Sequence, residues 1–522
     1  MEGIEHQSGR PMWGTFVDHA RRNPVGAALL VALAYALVFA ALRLAFSDSI
    51  ATDDSQENVF AQVWSFGYQA RQPPLYVWLL KLVQSVLGPG IEGFVLVRYL
   101  LMVAFAGLAA AVARRIVRDP AWAVASAASY AAIYQIGWMQ HQMFTHTAML
   151  MVTLTAGMLA FMRYVEAPSL ARAVILGAAI GLGGLSKHSY WIFPVLLFLV
   201  ALRRPAIRHR LDWRHLVLAA FVAALLYSPY ALWLVQAKGS VAAEAQATVR
   251  HLAGLGDRVV RGLPSVAGAV LGFLFPLLLL VAAIVPQSLD PRRRSPVPPP
   301  GRPDWLRLLG DLAAAGLVVL VAALLLFGVA TFKERHMHAL FLLAPLWLMG
   351  RAGALGSARQ RTVLVAAFGV VVAAAALVRT ATFVYPDRPF CTPVCRETKP
   401  YRELGPALAG AGYGAATLVA TENDLAGNLR ALLPGARVVS TALPIETLPP
   451  ASPGAACVLV WESAPEPVPP PPDVAARAIP GAPEGEVSIP WRSPLRADGW
   501  RMSVYRFRPL EASAPACIPG RS

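Results

Sequence analysis

The sequence predicts a mostly α-helical, polytopic membrane protein with a small α/β domain at its C-terminal end. Three observations predict it. Of the 522 residues 56% are hydrophobic and only 15% charged, where a soluble protein of this size carries about 25% charge. Long apolar runs recur along the chain, separated by short loops that are alternately arginine-rich and polar. From about residue 381 the long runs stop, and short β-type runs alternate with helical ones.

The first 23 residues are polar, with Glu2, Glu5, Arg10, Asp18, Arg21 and Arg22. The apolar run behind them is long enough to span, so it reads as a first membrane helix rather than a cleaved leader. About eleven spans are expected, near 24–46, 92–113, 120–138, 143–163, 170–186, 189–203, 215–235, 265–287, 310–330, 338–350 and 362–380. This divides the chain into an N-terminal cytoplasmic segment (1–23), a transmembrane domain (24–380) and a soluble domain (381–522).

The formal net charge is +16. The basic residues fall between spans, so topology accounts for them and nucleic acid is not an expected partner. Arg21-Arg22, Arg114-Arg115, Arg203-Arg204, Arg292-Arg293-Arg294 and Arg359 with Arg361 alternate with polar loops as the positive-inside rule requires when the N-terminus is cytoplasmic. The opposite, outward side then carries Asp53-Asp54-Glu57, the 141–146 stretch, Lys187-His188, the 236–264 loop, Lys333 to His336 and the C-terminal domain. The loop 291–303 is proline- and arginine-rich and reads as an extended linker.

The first outward loop, 47–91, holds two amphipathic stretches, 59–66 and 75–87, expected as helices lying at the membrane interface. Pro73-Pro74 suits the start of the second, because the first amides of a helix lack partners anyway. In the C-terminal part, 401–411 and 424–433 read as helices, with 416–420, 437–440, 457–461 and 500–507 as strands around the proline-rich loop 464–472. The four cysteines, Cys391, Cys395, Cys457 and Cys517, all lie there. No second Cys or His pair at finger-like spacing accompanies Cys391 and Cys395, so disulfides are favoured over zinc, with the pairing open.

Chemistry concentrates at the outward ends of the spans. Asp53 and Asp54 follow the first span directly, where a charge is costly unless it has a partner or a function. A carboxylate there can take the proton from an acceptor hydroxyl; the blander reading is a solvated helix N-terminus. Arg71, Lys187, His188, Lys333, Arg335 and His336 lie at span ends on the same side. A leaving phosphate needs such partners as its charge develops, whereas singly they read as snorkelling side chains. His141, His146 and His338 read as polar-loop residues, and Trp138, Trp191 and Trp233 as an interfacial belt.

The motifs Asp53-Asp54 with Ala61-Gln62, Gly67-Tyr68 and Gln72-Pro73-Pro74-Leu75-Tyr76 resemble the first outward loop of lipid-linked-sugar glycosyltransferases of the GT-C fold. The branch is that of protein O-mannosyltransferases and lipid A aminoarabinose transferases. Leu182 to Lys187 and Lys333 to His336 are similar to later segments of that group. Asp53-Asp54-Ser55-Gln56-Glu57, Gln72 to Tyr76, and Asn423 to Arg430 look most like dodecaprenyl-phosphate galacturonic acid transferases. The resemblance implies an Asp of the first loop as base or acceptor-orienting group. Alignment on Gly67-Tyr68 selects Asp53 and alignment on Pro73-Pro74 selects Asp54; Asp53 is taken as the base, with Asp54 as the second candidate. It further implies Arg71, Lys187, Lys333 and Arg335 at the donor phosphate, with Glu57, Tyr76, His188 and His336 as further contacts. Some relatives hold a divalent metal near the site; no matching ligand set is found in this chain, and metal use stays open.

The expected function is sugar transfer from a polyprenyl-phosphate donor to a lipid or glycan, foremost lipid A or lipopolysaccharide core, at the periplasmic face of a bacterial inner membrane. No glycine-rich phosphate loop follows a strand, so no nucleotide is expected. The rival is a transporter or flippase for a lipid-linked glycan, which calls for broken helices or polar groups at mid-span. The Gly181-Gly183-Gly184 run is the one break expected.

Overall fold

The computed structural model describes residues 20–237, 251–252, 254–296, 298–299, 301–330, 332–387, 395–444 and 448–517. Residues 1–19, residues 238–250 of the 236–264 loop and Cys391 lie outside them. The helices used below are α1 (Pro24–Phe46), α2 (Asp53–Phe60), α3 (Leu75–Leu87), α4 (Ile91–Ala113), α5 (Pro120–Ala128), α6 (Thr145–Glu166), α7 (Leu170–Ser186), α8 (Ile192–Leu202) and α9 (Trp213–Gln236). They continue with α10 (Leu263–Leu274), α11 (Leu277–Ile284), α12 (Trp305–Phe327), α13 (Ala344–Leu355), α14 (Ala358–Val384), α15 (Leu404–Gly410) and α16 (Asn423–Leu432).

Local signals set many of these ends. Asn23 Oδ1 accepts the Gly26 amide at 2.9 Å ahead of Pro24, Asp119 caps α5 ahead of Pro120, and Ser357 with Gln360 forms a capping box on α14. Among the described residues seven helices are long and apolar enough to cross a membrane: α1, α4, α6, α9, α12, His338–Leu355 and α14. The expected runs 170–186 and 189–203 form shorter apolar helices.

The expected spans 120–138 and 265–287 are both broken. Pro276 has no amide to donate and drives Phe275 into an extended conformation, which separates α10 from α11. The freed Phe275 carbonyl accepts the Tyr134 amide at 2.9 Å, across a bridge between Ile133 and Pro276. Each break thus satisfies the other's backbone, the condition for non-helical chain among membrane helices. At Gly181-Gly183-Gly184, by contrast, α7 runs on unbroken: Tyr190 and Trp191 lie against Gly183 and Gly184, and α9 lies against Gly181.

In the 47–91 loop, α3 forms over the expected residues. The other helix is Asp53–Phe60 rather than 59–66. Its two carboxylates occupy the first turn, where the helix dipole favours them. Beyond it, Tyr68 Oη donates to the Val63 carbonyl at 2.8 Å and Trp78 Nε1 to the Ser65 carbonyl at 2.7 Å, holding 63–68 in turns.

The C-terminal domain is built on strands β1 (Thr417–Ala420), β2 (Arg437–Ser440), β3 (Cys457–Ala464), β4 (Gly485–Pro490) and β5 (Met502–Pro509) in the order β2-β1-β3-β5-β4. β1 runs parallel to β2 and β3, with Val419 opposite Val439 and Leu459, while β5 is antiparallel to β3 and β4. The sequence reading omitted β4, whose inner face buries only Ile489. Cys457 and Cys517 form a disulfide spanning 60 residues; Cys395 is also disulfide-bonded. Replacing Cys457 and Cys517 together by alanine is expected to destabilise this domain by about 2–5 kcal/mol, read as a lowered thermal unfolding midpoint of the purified protein.

The domain is not tethered by a linker alone. Ile50, Val59, Phe60 and Tyr68 of the outward loop share one buried apolar cluster with Leu425, Leu429 and Val438. A second anchor is ionic: Arg379 of α14 grips Glu397 through two bonds of 2.6 and 3.0 Å, and Arg43 of α1 approaches it at 3.6 Å. Burial pushes the Glu397 carboxyl up, yet Arg379 and Arg43 hold it at about 2.

Candidate active site

The site lies where α2 begins, under the C-terminal domain. Three carboxylates of α2 meet three different fates. Asp54 is buried and paired with Arg98 of α4 at 2.5 Å; burial holds its carboxyl above the ordinary carboxylate range despite that partner. Arg98 also donates to the His141 carbonyl. Glu57 is buried against His146 Nε2 at 3.1 Å, with the Tyr76 ring packed on the same imidazole. Asp53 alone is exposed, its Oδ2 accepting the Phe144 amide at 3.3 Å.

Asp53 faces the cation Lys187. Lys187, at the C-terminal end of α7, is half-buried, donates to Thr147 Oγ1 at 2.8 Å, and interacts electrostatically with Asp53, Arg71 and Arg335. Burial lowers the Lys187 ammonium to about 8, Asp53 opposing and Arg71 and Arg335 adding to the effect. Arg71, Lys333, Arg335 and His336 are exposed. Burial and the neighbouring Arg335, Lys187 and Lys333 push the His336 imidazole down to about 4, so it is a neutral group near pH 7. Glu334 accepts from Gln135 Nε2 at 3.2 Å, which joins this loop to the broken segment after α5.

The structure therefore gathers Asp53, Arg71, Lys187, Lys333, Arg335 and His336. It sets Asp54, Glu57 and Tyr76 behind them as buried support. His188 turns away to the Ala70 carbonyl at 2.9 Å and to Tyr230.

His141, His146 and His338, expected in polar loops, are buried. His141 stacks on Phe39 and bonds Tyr35 Oη at 2.6 Å and Tyr99 Oη at 3.0 Å. Trp233, expected in an interfacial belt, lies against Gly67 and stacks on Tyr230, and Trp138 lies under the Arg379 guanidinium. Sequence reasoning missed Arg43, Arg98 and Arg379. The signal available was a lone arginine inside an apolar run, which marks a functional or paired position.

Among the described residues no three His, Cys, Asp or Glu side chains form a group able to hold a metal. Asp54 is engaged by Arg98, Glu57 by His146, and Asp53 lies against the Lys187 ammonium. These residues do not fit a divalent ion, and no step is derived through one.

Residues 71–233 match the family described as dolichyl-phosphate-mannose-protein mannosyltransferase. The chain is 27% identical over 459 residues to the lipopolysaccharide core galacturonosyltransferase RgtA of Rhizobium johnstonii, covering 83% of this chain and 85% of the relative. It is 27% identical over 438 residues to RgtB of the same organism, covering 82% and 85%. The crystal structure of ArnT from Cupriavidus metallidurans bound to undecaprenyl phosphate superposes with a TM-score of 0.54 at 15% identity, covering 94% of this chain and 99% of that one. The fold and the relatives define a multi-pass membrane glycosyltransferase of the GT-C type. Within that class the chain is similar to the lipopolysaccharide core galacturonosyltransferases.

Proposed function

We propose that the protein transfers a uronic acid, galacturonic acid in the first instance, from a polyprenyl-phosphate donor to the lipopolysaccharide core or lipid A on the periplasmic side of a bacterial inner membrane. The observation that carries this reading is the solitary exposed carboxylate of Asp53 set against Lys187, which in turn lies close to Arg71 and Arg335, with the neighbouring carboxylates already paired. Asp53 takes the proton from the acceptor hydroxyl as that oxygen attacks the anomeric carbon. The bond from that carbon to the phosphate oxygen breaks, and the charge left on the phosphate is received by Lys187, Arg71 and Arg335, with Lys333 at the rim. A guanidinium offers a fork to two phosphate oxygens, and Lys187 offers a point charge from below.

The donor's apolar chain needs an apolar wall. A cavity of about 420 Å³ between α1, α4, α5 and α14, lined by Tyr35, Phe39, Met102, Phe105, Ile136 and Phe368, supplies one. It reaches Tyr35, whose hydroxyl bonds His141 beneath the Asp54–Arg98 pair.

The rival reading, a flippase, draws on the two broken helices. They meet each other beside the Glu334 loop and so line the proposed site, as a cavity wall does in either class. The discriminating experiment uses detergent-solubilised protein with synthetic polyprenyl-phosphate galacturonic acid and purified lipopolysaccharide core, followed by mass spectrometry. Gain of one uronic acid mass on the acceptor, absent with Asp53→Asn, is the expected result. No gain, together with an unchanged core and lipid A profile in a deletion strain, overturns the proposal.

Lys187 gives a pH prediction. Its lowered folded value means the ammonium is present below about 8 and is lost as pH rises through it. The KM for donor is expected to rise across that window at constant acceptor. Lys187→Arg, whose guanidinium stays charged to above pH ~12, is expected to shift that limb upward; an unshifted limb would remove Lys187 from the phosphate site.

A further inference from the structure

The C-terminal domain meets the 47–91 loop at several points, among them Gln62 against Val438 of β2 and Ser49 against Lys399, but at helix α16 it grips the loop's backbone directly. Asp424 Oδ1 accepts the Thr52 amide at 2.8 Å. Asn428 grips Ile50 from both sides, its Oδ1 accepting the amide at 2.9 Å and its Nδ2 donating to the carbonyl at 2.7 Å. Asn58 of α2 answers with a bond of 2.8 Å to the Gly427 carbonyl. At Gly427 a β-carbon would stand 2.5 Å from the Ser55 α-carbon and 2.7 Å from its carbonyl oxygen, so the two helices meet at backbone distance.

What this grip fixes is unusual. Thr52 has φ +57° and Phe144 φ +79°, the two non-glycine residues with positive φ among those described. A β-branched residue in that region is a true outlier, and each such position costs about 1–3 kcal/mol unless its surroundings hold it. Both flank the same side chain. Thr52 precedes Asp53 in the chain, and the Phe144 amide is the one that binds Asp53 Oδ2. Thr52 Oγ1 lies within hydrogen-bond distance of both the Ala51 carbonyl, at 2.7 Å, and the Gln142 carbonyl, at 3.1 Å, which brings the two strained units together. Asp53 therefore hangs between one peptide unit fixed by the bundle and one fixed by the C-terminal domain.

We propose that Asp424 and Asn428 of α16 are positioning residues that hold the Thr52 peptide, and through it the Asp53 carboxylate, in register with Lys187. The C-terminal domain is on this account a working part of the active site and not a cap over it. The inference rests on the reading of Asp53 as base. It also gives the 423–430 segment a role that its sequence alone did not supply. The polar residues at 424 and 428 lie one helical turn apart, on the side that meets the loop.

The test has two arms. In the first, kcat and donor KM are measured on synthetic polyprenyl-phosphate galacturonic acid for Asp424→Ala, Asp424→Asn and Asn428→Ser, with Asp53→Asn alongside. Since displacing a reacting group by about 1 Å costs on the order of 100-fold, Asp424→Ala and Asn428→Ser are expected to lower kcat by roughly 10- to 100-fold with KM changed less than about twofold. Asp424→Asn, which keeps an acceptor for the Thr52 amide, is expected to stay near wild type. In the second arm, amide hydrogen exchange is followed on the full-length protein. Asp424→Ala is expected to raise exchange in the 50–58 segment and to leave the β-sheet unchanged. Full turnover of Asp424→Ala while Asp53→Asn is dead, or unaltered exchange at 50–58, overturns the positioning role. An active Asp53→Asn protein sinks the base reading instead, whatever Asp424 does. If Asp424→Ala fails to fold, Asn428→Ser carries both measurements.

Discussion

Asp53→Asn is expected to lower turnover by about 100- to 10,000-fold, the range for removal of a general base, while the protein still inserts, folds and binds donor. Asp54→Asn, one residue away, is expected to do the opposite kind of damage. Asp53 is exposed and accepts a single amide bond from Phe144, so an amide side chain leaves the packing intact. Asp54 is buried as the partner of Arg98. Neutralising it strands a guanidinium in the interior, and removing one member of a buried pair costs about 3–5 kcal/mol. The expected pattern is thus a stable, inactive Asp53→Asn protein and an unstable Asp54→Asn protein in poor yield. It is read by size-exclusion profile and thermal unfolding beside single-turnover transfer. A stable but dead Asp54→Asn, with an active Asp53→Asn, would exchange the two roles.

That contrast shows what the sequence carried and what it lacked. Most helices were legible because each rests on a local signal, apolar run length or a capping residue, and the carboxylates at 53 and 54 and the cations at 71, 187, 333 and 335 became candidates because each is a charge next to a span. The preference for Asp53 over Asp54 rested on one of two alignment landmarks and had no physical ground in the sequence. The choice depends on Arg98, 44 positions along the chain, and no local pattern states which of two adjacent carboxylates a distant arginine will claim. The breaks at 133 and 276 were missed for a related reason. Each apolar run is long enough to span, and only their meeting, Tyr134 amide to Phe275 carbonyl, makes an interrupted helix tolerable. Helix α2 was misplaced because its first turn is polar, and its apolar face is completed by Leu425 and Leu429 of another domain. Trp233 looked like an interfacial-belt tryptophan by position, yet it packs against Gly67, which has no side chain in the space it occupies.

Arg379→Met is expected to release the C-terminal domain from the bundle. Arg379 lies near the end of α14, is almost fully buried, donates twice to Glu397 and covers the Phe383 ring at 4.7 Å. Its loss leaves Glu397 with Arg43 alone, at 3.6 Å and without a bidentate bond. Breaking such a pair from one side costs about 3–5 kcal/mol, a large share of the roughly 5–15 kcal/mol by which a domain is stable. The linkage has a defined sign. Glu397 titrates lower in the folded protein, at about 2, than in an unfolded chain. Its contribution is therefore complete at neutral pH and is lost as pH falls through the carboxylate range toward that value. Wild type is expected to show a stability component that disappears on acidification, and Arg379→Met to have lost most of it already at pH 7. Limited proteolysis between α14 and α15 reads the release directly. Turnover reads its consequence, because a domain no longer seated on α1 and α14 cannot keep α16 against Thr52. A variant that resists protease like wild type, with unchanged acid sensitivity, would show that the apolar cluster of Ile50, Phe60 and Leu425 holds the domain without the ionic anchor.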